Sequence, residues 1–394
     1  TRFITSSGKE LFIQSSYKGT ETEWKQAIEI FLRAIFITRL GIGKGYKLII
    51  LDSLLYPTIF RNSLIYVAMK RFKLSPVKFF IAESMSLFAI TPKDIKNPKL
   101  YDTGIILDVG YSATRALPIY EGVALTGKFI HGGVSSYDVL QRLSSLLKEH
   151  GIVKNESRTI DASTYPLFDD YNVLEDILVR CCFVCLRAFS PGTPPDLKYP
   201  PKNYSCFGIE EGNQLKNIPL IDQSKSSRRN NSSSLVKDEC QRVSTILFPL
   251  SDGNKLEING YVRAHAADIL FEHTENYPSV ASIILDSLLS SELDMRAELS
   301  QSIILSGGIC NLSGFITRLM EELEELLQIQ KYSSISSLSG KLSFYSSSHS
   351  AIEISWAGAS LLGSLQDCGT NITSEEYEEK GNRILPKWDS QVYM

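Results

Sequence analysis

The chain has 394 residues, 43% hydrophobic and 22% charged, the proportions of an ordinary globular protein of about two domains. A formal net charge of -3 argues against a nucleic-acid backbone as the main partner, and no apolar run reaches the roughly 20 residues that span a bilayer. Seven cysteines, an odd number without regular spacing, suggest reduced thiols in a cytosolic setting.

Elements follow in chain order. Trp24, Ile28, Phe31, Leu32 and Ile35 recur at three- and four-residue spacing after Thr20-Glu21-Thr22, which predicts a helix with one buried face. Tyr46 to Asp52 reads as a buried strand, Arg61 to Phe72 as a helix, Val77 to Ile81 as a strand and Ser84 to Ile90 as a helix. Gly104 to Gly110 is a strand ending in an acidic turn, and Ala116 to Tyr120 is its return, with Glu121-Gly122 as the next turn. Strands alternating with helices predict an α/β class with mixed sheets.

The middle differs. Pro191, Pro194, Pro195, Pro200 and Pro201 precede the run Ser224 to Ser234, so residues of about 190–240 are expected to form a solvated loop or disordered insertion. A second Ser-rich patch runs from Ser333 to Ser350. Helices are expected at Val280 to Leu289, Met295 to Leu299 and Phe315 to Leu327, with a strand from Ser302 to Leu305 that enters Ser306-Gly307-Gly308.

Two strand–turn features carry the chemistry. In Leu107-Asp108-Val109-Gly110 a carboxylate leaves a strand beside a glycine, a turn that lets backbone N–H groups approach an anion. In Leu305-Ser306-Gly307-Gly308 a ligand can lie against bare backbone. Taken singly, each is most often just a tight turn.

Together they have a likeness. Pro118-Ile119-Tyr120-Glu121-Gly122, Asp294 to Leu299 with Ile303 to Gly308, and Trp356 to Leu365 with Ser374 to Glu379 resemble actin in order and spacing. Pro57 with Arg61, and Ile269 to Glu272, are weaker echoes. The resemblance to the actin-related protein family covers almost the whole chain outside the two Ser-rich stretches. It implies an actin-like fold of two lobes, mixed sheets and helices around a nucleotide cleft. Residues 1–99 and 351–394 would form the first lobe and 100–350 the second. The family's N-terminal strands and first phosphate loop are expected upstream of Thr1.

The resemblance makes Asp108 and Gly110 the second phosphate loop and Gly307 and Gly308 the adenine-side loop. ATP or ADP is the cofactor it implies through those four residues, and no metal is expected. Several positions depart from the family. Tyr111 and Ser112 stand where actin has Asp and Gly, and Arg115 stands for a histidine. Ala82, with Glu83 next to it, aligns with the glutamine that orients attacking water, so hydrolysis is expected to be lost and no residue is assigned as catalytic. Leu178, Val179 and Leu312 replace further nucleotide contacts.

Other motifs carry less. Gly41-Ile42-Gly43-Lys44-Gly45 lacks the Gly-Lys-Ser/Thr ending of a P-loop and reads as a turn. Cys182 and Cys185 have redox or zinc spacing, but on a helix with no companion histidines they read as buried thiols. His131, His150, His265, His273 and His349 show no metal spacing, and Glu321 to Glu325 reads as a solvated helix face.

Among actin-related proteins the pattern is most similar to the pointed-end subunit of dynactin. That likeness rests on Leu54 to Arg61, Leu107 to Tyr111, Ala116 to Gly122 and Ser279 to Leu288. It implies a non-catalytic, cytoplasmic, cytoskeleton-associated protein. The implied partners are other dynactin subunits, the end of the actin-like filament, pointed-end proteins and, indirectly, dynein, with no nucleic acid and no membrane span. The alternatives are a nuclear actin-related subunit of a chromatin-remodelling complex and an ATPase of the wider superfamily.

Overall fold

The computed structural model describes residues 2–4, 10–12, 19–41, 45–89, 102–155, 159–186, 245–272, 277–345, 347–365 and 371–387. The insertion expected at about 190–240 lies outside them, as do residues 42–44 of the glycine-rich turn. By contact the chain divides into two compact units. The first is Thr1–Tyr137, His273–Asn311 and Leu323–Met394, and the second is Asp138–Glu272 and Leu312–Glu322. The lobe boundaries expected above are a division by family likeness rather than by contact.

The first unit opens with the antiparallel strands β1 (Arg2–Ile4) and β2 (Glu10–Phe12). Helix α1 (Glu21–Leu32) starts at a reciprocal capping box between Thr20 and Glu23 and buries Trp24, Ala27, Ile28 and Leu32. A π-helical stretch, Arg33–Arg39, carries it past Ile35. Strand β3 (Leu48–Asp52) leads to α2 (Thr58–Tyr66), whose N-cap is Pro57, with a second π-helical stretch at Val67–Arg71. The Trp24 ring meets Phe60 of α2 edge-on at 5.4 Å, which joins the two helices through their apolar faces.

Strand β4 (Val77–Ile81) pairs parallel to β3 and passes directly into α3 (Ala82–Phe88). Strand β5 (Gly104–Val109) follows, with β6 (Thr114–Tyr120), β7 (Val123–Ala124) and β8 (Ile130–Gly132). Glu121 and Gly122 form the expected turn, both with positive φ. The β5 run is apolar on both faces, as a strand covered on both sides must be, and Ile105, Ile106 and Leu107 are wholly inaccessible.

Helix α4 (Ser136–His150) leads into the second unit. There β9 (Ile152–Lys154), β10 (Thr159–Ile160), α5 (Tyr171–Cys181), β11 (Ile246–Pro249), β12 (Lys255–Ile258) and α6 (Gly260–His265) follow in turn. The four strands make one antiparallel sheet, in the order β10-β9-β12-β11. Cys182 and Cys185 were expected on a helix. Instead α5 ends at Cys181 and Cys182 is extended, with the Phe183 N–H donating to Arg263 O and the Val184 N–H to Ser313 O. The thiols are buried as expected.

The first unit resumes with α7 (Val280–Ser290), α8 (Arg296–Ser300) and β13 (Ile303–Ser306). Helix α9 (Phe315–Leu326) lies mostly in the second unit, and α10 (Ile354–Ser364) and α11 (Ser374–Lys380) belong to the first. Strand β13 pairs parallel to β5, giving the sheet order β13-β5-β6-β7 with β8 on β6. Its core joins Ile106, Leu117, Ile119 and Ile304 to Leu54, Leu87 and Ile354. Helices α3 and α10 touch at Gly358, where an added Cβ would lie 1.8 Å from Met85 O.

The Ser-rich patch has a structure that composition hides. Gln330–Leu338 is a 3-10 helix that buries Tyr332, Ile335 and Leu338 and exposes Ser333, Ser334, Ser336 and Ser337. The three-residue spacing of the apolar positions matches the three residues per turn of that helix.

Candidate functional site

All four residues expected to hold nucleotide lie at the C-terminal ends of two neighbouring parallel strands. Asp108 belongs to β5 and Gly110 follows it; Gly307 and Gly308 follow β13, and Ser306 is paired with Asp108 in the register. The parallel pair β3 and β4 ends in Asp52 and Ile81, so Ser53 and the first turn of α3 leave from corresponding points. Ligand sites in α/β proteins form at such carboxyl ends.

A buried charge cluster occupies this region. Asp108 and Arg115 are directly opposite in the β5–β6 register, and Arg115 Nη1 donates to Asp108 Oδ2 at 2.7 Å. The same nitrogen lies 3.7 Å from Glu83 Oε1, which accepts a hydrogen bond from Ser53 Oγ at 3.0 Å. Arg61, wholly buried, donates through Nε to Asp52 and through Nη2 to Ser53 O at 3.2 Å. Burial pushes the Glu83 carboxyl up to about 7 against the opposing pull of Arg115. Burial likewise raises the Tyr56 phenol, which Arg115 opposes. Asp108 and Glu83 more than offset the burial that would lower the Arg115 guanidinium. Among the described residues, Glu83 Oε2 and Arg115 Nε are buried without a hydrogen-bond partner.

Glu83, not Ala82, is the residue that reaches this cluster. Ala82 opens α3 and is only half-buried, whereas Glu83, one step further round the turn, is 1% exposed. The sequence signal that finds the cluster is a carboxylate closing or just following each apolar strand, at Asp52, Glu83 and Asp108. Tyr111, at the departure from the family pattern, sets its ring edge-on to Tyr137 at 5.8 Å, and the Tyr137 N–H donates to Tyr111 O.

The glycines serve close packing. Gly307 has φ +100°, and an added Cβ would lie 2.3 Å from Val109 O, so β13 can turn beside β5 only without a side chain there. The Gly307 N–H donates to Ala351 O at 2.8 Å and the Gly110 N–H to Ala113 O at 3.1 Å. Gly308 is roomier: its nearest atom, Ile352 Cδ1, would lie 3.6 Å from a Cβ. These residues do not fit a divalent metal with its bound phosphates. Asp108 is already paired with a cation, and two of the glycine amides already donate within the chain.

The second unit contains another polar knot, which spacing did not reveal. His265 Nδ1 lies 2.6 Å from Asp268 Oδ2, and Cys185 Sγ donates to Asp268 Oδ1 at 3.6 Å. Arg318 reaches Cys185 O at 3.0 Å, Asp268 Oδ1 at 3.5 Å and, through Nε, Glu322 Oε1 at 2.7 Å. A histidine therefore does accompany the Cys182/Cys185 motif, brought from a distant segment by the fold. Glu322 is also buried, not solvated, because Arg318 one helical turn before it supplies the counter-charge. Cys185, His265 and Asp268 offer three ligating atoms within 4.8 Å of one another. Burial, reinforced by Asp268, pushes the Cys185 thiol up to about 12. A protonated thiol and a guanidinium on the shared carboxylate make the group a hydrogen-bonded knot.

Among the described residues no helix is long and apolar enough to cross a membrane. The sequence profile of the Actin family matches residues 9–388. The chain is also 25% identical over 409 aligned residues to "Actin-related protein 10" of Dictyostelium discoideum, covering 94% of this chain and 74% of that protein.

Proposed function

The chain belongs to the actin family, and from that premise we propose that it is a structural, non-catalytic subunit of dynactin. In this role it caps the pointed end of the short actin-like filament and supports dynein-driven transport in the cytoplasm. The observation that carries the reading is the similarity to Actin-related protein 10 along 94% of the chain. One surface repeats the contacts by which a filament subunit adds to its neighbour, and the opposite surface accepts no further subunit. Such an arrangement is head-to-tail association brought to a stop.

The charge cluster supports the non-catalytic half of the proposal. Arg115 is ion-paired with both Asp108 and Glu83, so each carboxylate already has a cationic partner within the chain. General-base catalysis needs a carboxylate within hydrogen-bond reach of the proton it removes. Efficient ATP turnover is therefore no part of the proposed function.

The test is affinity purification of the tagged full chain, mass spectrometry of its partners and a nucleotide assay on the same sample. Recovery with actin-like filament and pointed-end subunits, without ATP turnover, is the expected result. Recovery with chromatin-remodelling subunits, or appreciable hydrolysis, would overturn it.

A further inference from the structure

Two carboxylates from separate elements converge on one nitrogen of Arg115, and a hydroxyl from a third segment joins one of them. Asp108 Oδ2 at the end of β5 is 2.7 Å from Nη1, and Glu83 Oε1 in the first turn of α3 is 3.7 Å from it. Ser53, just past β3, is hydrogen-bonded to the same Glu83 oxygen. Carboxylate and hydroxyl oxygens brought together from several directions are the ligands that hard divalent cations take. A guanidinium sits among them instead, and it stays charged at any working pH.

The surroundings are fitted to that guanidinium. A Cβ on Gly110 would come within 3.4 Å of both Arg115 Nη1 and Asp108 Oδ2, so the glycine leaves room for the pair. Asp52 and Arg61 form a neighbouring balanced pair. Glu83 Oε2 and Arg115 Nε, both on side chains more than nine-tenths buried, are polar atoms without a partner among the described residues.

We propose that Arg115 is a built-in counter-cation, occupying the seat that a divalent metal ion would take between Asp108 and Glu83. The cluster excludes divalent cations for that reason, and removing the Arg115 charge opens an oxygen-lined cation site there. The inference goes beyond the assembly role and does not depend on it.

The experiment uses the full chain as wild type, Asp108→Asn, Arg115→Gln, Arg115→Lys and the double variant Arg115→Gln/Asp108→Asn. Two readings are taken on each: terbium(III) luminescence excited through tyrosine, and the change in Tm on adding millimolar Ca2+ or Mg2+. Expected is no Tm change for wild type or Arg115→Lys. Arg115→Gln should show a rise in Tm and terbium binding about tenfold or more tighter, as ligand linkage requires. The double variant should lose both gains. Should Arg115→Gln prove unfolded, recovery of its cooperative melt by Ca2+ is the supporting result and absence of recovery the opposing one. Wild-type binding that Asp108→Asn abolishes would overturn the proposal, and so would a folded Arg115→Gln that gains nothing. Neither result alters what the chain co-purifies with, so the two hypotheses fail separately.

Discussion

Asp108 and Arg115 are opposite one another across the hairpin of β5 and β6 and are joined at 2.7 Å. Arg115 is nine-tenths buried and Asp108 is 17% exposed, so the pair is largely buried rather than on the surface. Asp108→Asn leaves the guanidinium with Glu83 as its remaining carboxylate. The expected loss is about 1–3 kcal/mol in urea unfolding, below the full cost of breaking a deeply buried pair because one partner is partly solvated. Asp102→Asn, on the exposed turn before β5, is the matched control and should fall within ±0.5 kcal/mol.

Glu83 should make stability fall as pH rises. Its folded carboxyl is raised from 4.5 to about 7 by burial, with Arg115, Asp108, Ser53, Tyr56 and Asp52 as the surrounding polar groups. The folded state therefore holds the proton more tightly than the unfolded chain between those values. This contribution is fully present below about pH 4.5 and is lost as pH rises through about 7. Glu83→Gln mimics the protonated form, so its unfolding free energy should lose that downward slope between pH 5 and about 8. An unchanged slope would show that Glu83 is ionised in the folded chain.

In the second unit Asp268 joins His265, Cys185 and Arg318. Asp268→Ala leaves the buried His265 imidazole and Cys185 thiol without their shared acceptor while Arg318 keeps Glu322, and a loss of about 2–3 kcal/mol is expected. Cys185→Ala removes only a thiol that donates a long hydrogen bond, and about 1 kcal/mol is expected. Equal losses would mean that packing rather than charge organises the knot.

Gly307 and Gly308 are adjacent but should respond differently to alanine. At Gly307 the new Cβ meets Val109 O at 2.3 Å with φ at +100°, so β13 must separate from β5. At Gly308 the nearest atom is 3.6 Å away, an ordinary contact. Thermal melts should place Gly307→Ala several degrees below wild type, and Gly308→Ala close to it.

Cys181, Cys182, Cys185 and Cys310 are buried, and burial is the largest influence raising each of their thiols above the ordinary range. The thiolate is the reactive species. Iodoacetamide labelling read by peptide mass spectrometry should leave these four unmodified in the native chain and modify them once it is unfolded. Rapid native labelling of Cys185 would contradict the closed knot.

Much of the architecture was legible in short runs of residues. Leu48 to Asp52 and Gly104 to Val109 are apolar runs that end at or next to a carboxylate, and both became strands; the second is buried as expected, whereas Leu48 to Leu51 are half-buried and Asp52 is the buried end of its strand. Thr20 with Glu23 marked the start of α1 through a local capping box. The spacing of Tyr332, Ile335 and Leu338 was equally local, a three-residue period set within a serine-rich stretch. These features are set by neighbours a few residues apart, which a sequence displays directly.

The site was less legible because its geometry depends on registers between distant segments. Nothing near Arg115 says that it will face Asp108; the β5–β6 pairing decides that. Glu83 joins them because β4 ends at Ile81 and α3 begins at once, turning the second helical residue inward and leaving Ala82 at the edge. Cys185, His265 and Arg318 likewise meet only when three separate segments of the second unit pack together. The sequence by itself determined the class of the fold, the strands β3, β4, β5, β6 and β13, several helix starts and the family, but not the four-stranded sheet of the second unit. Tertiary structure alone decided which charges are paired, because buried charges must find partners across the fold and the chain order does not say which ones are within reach.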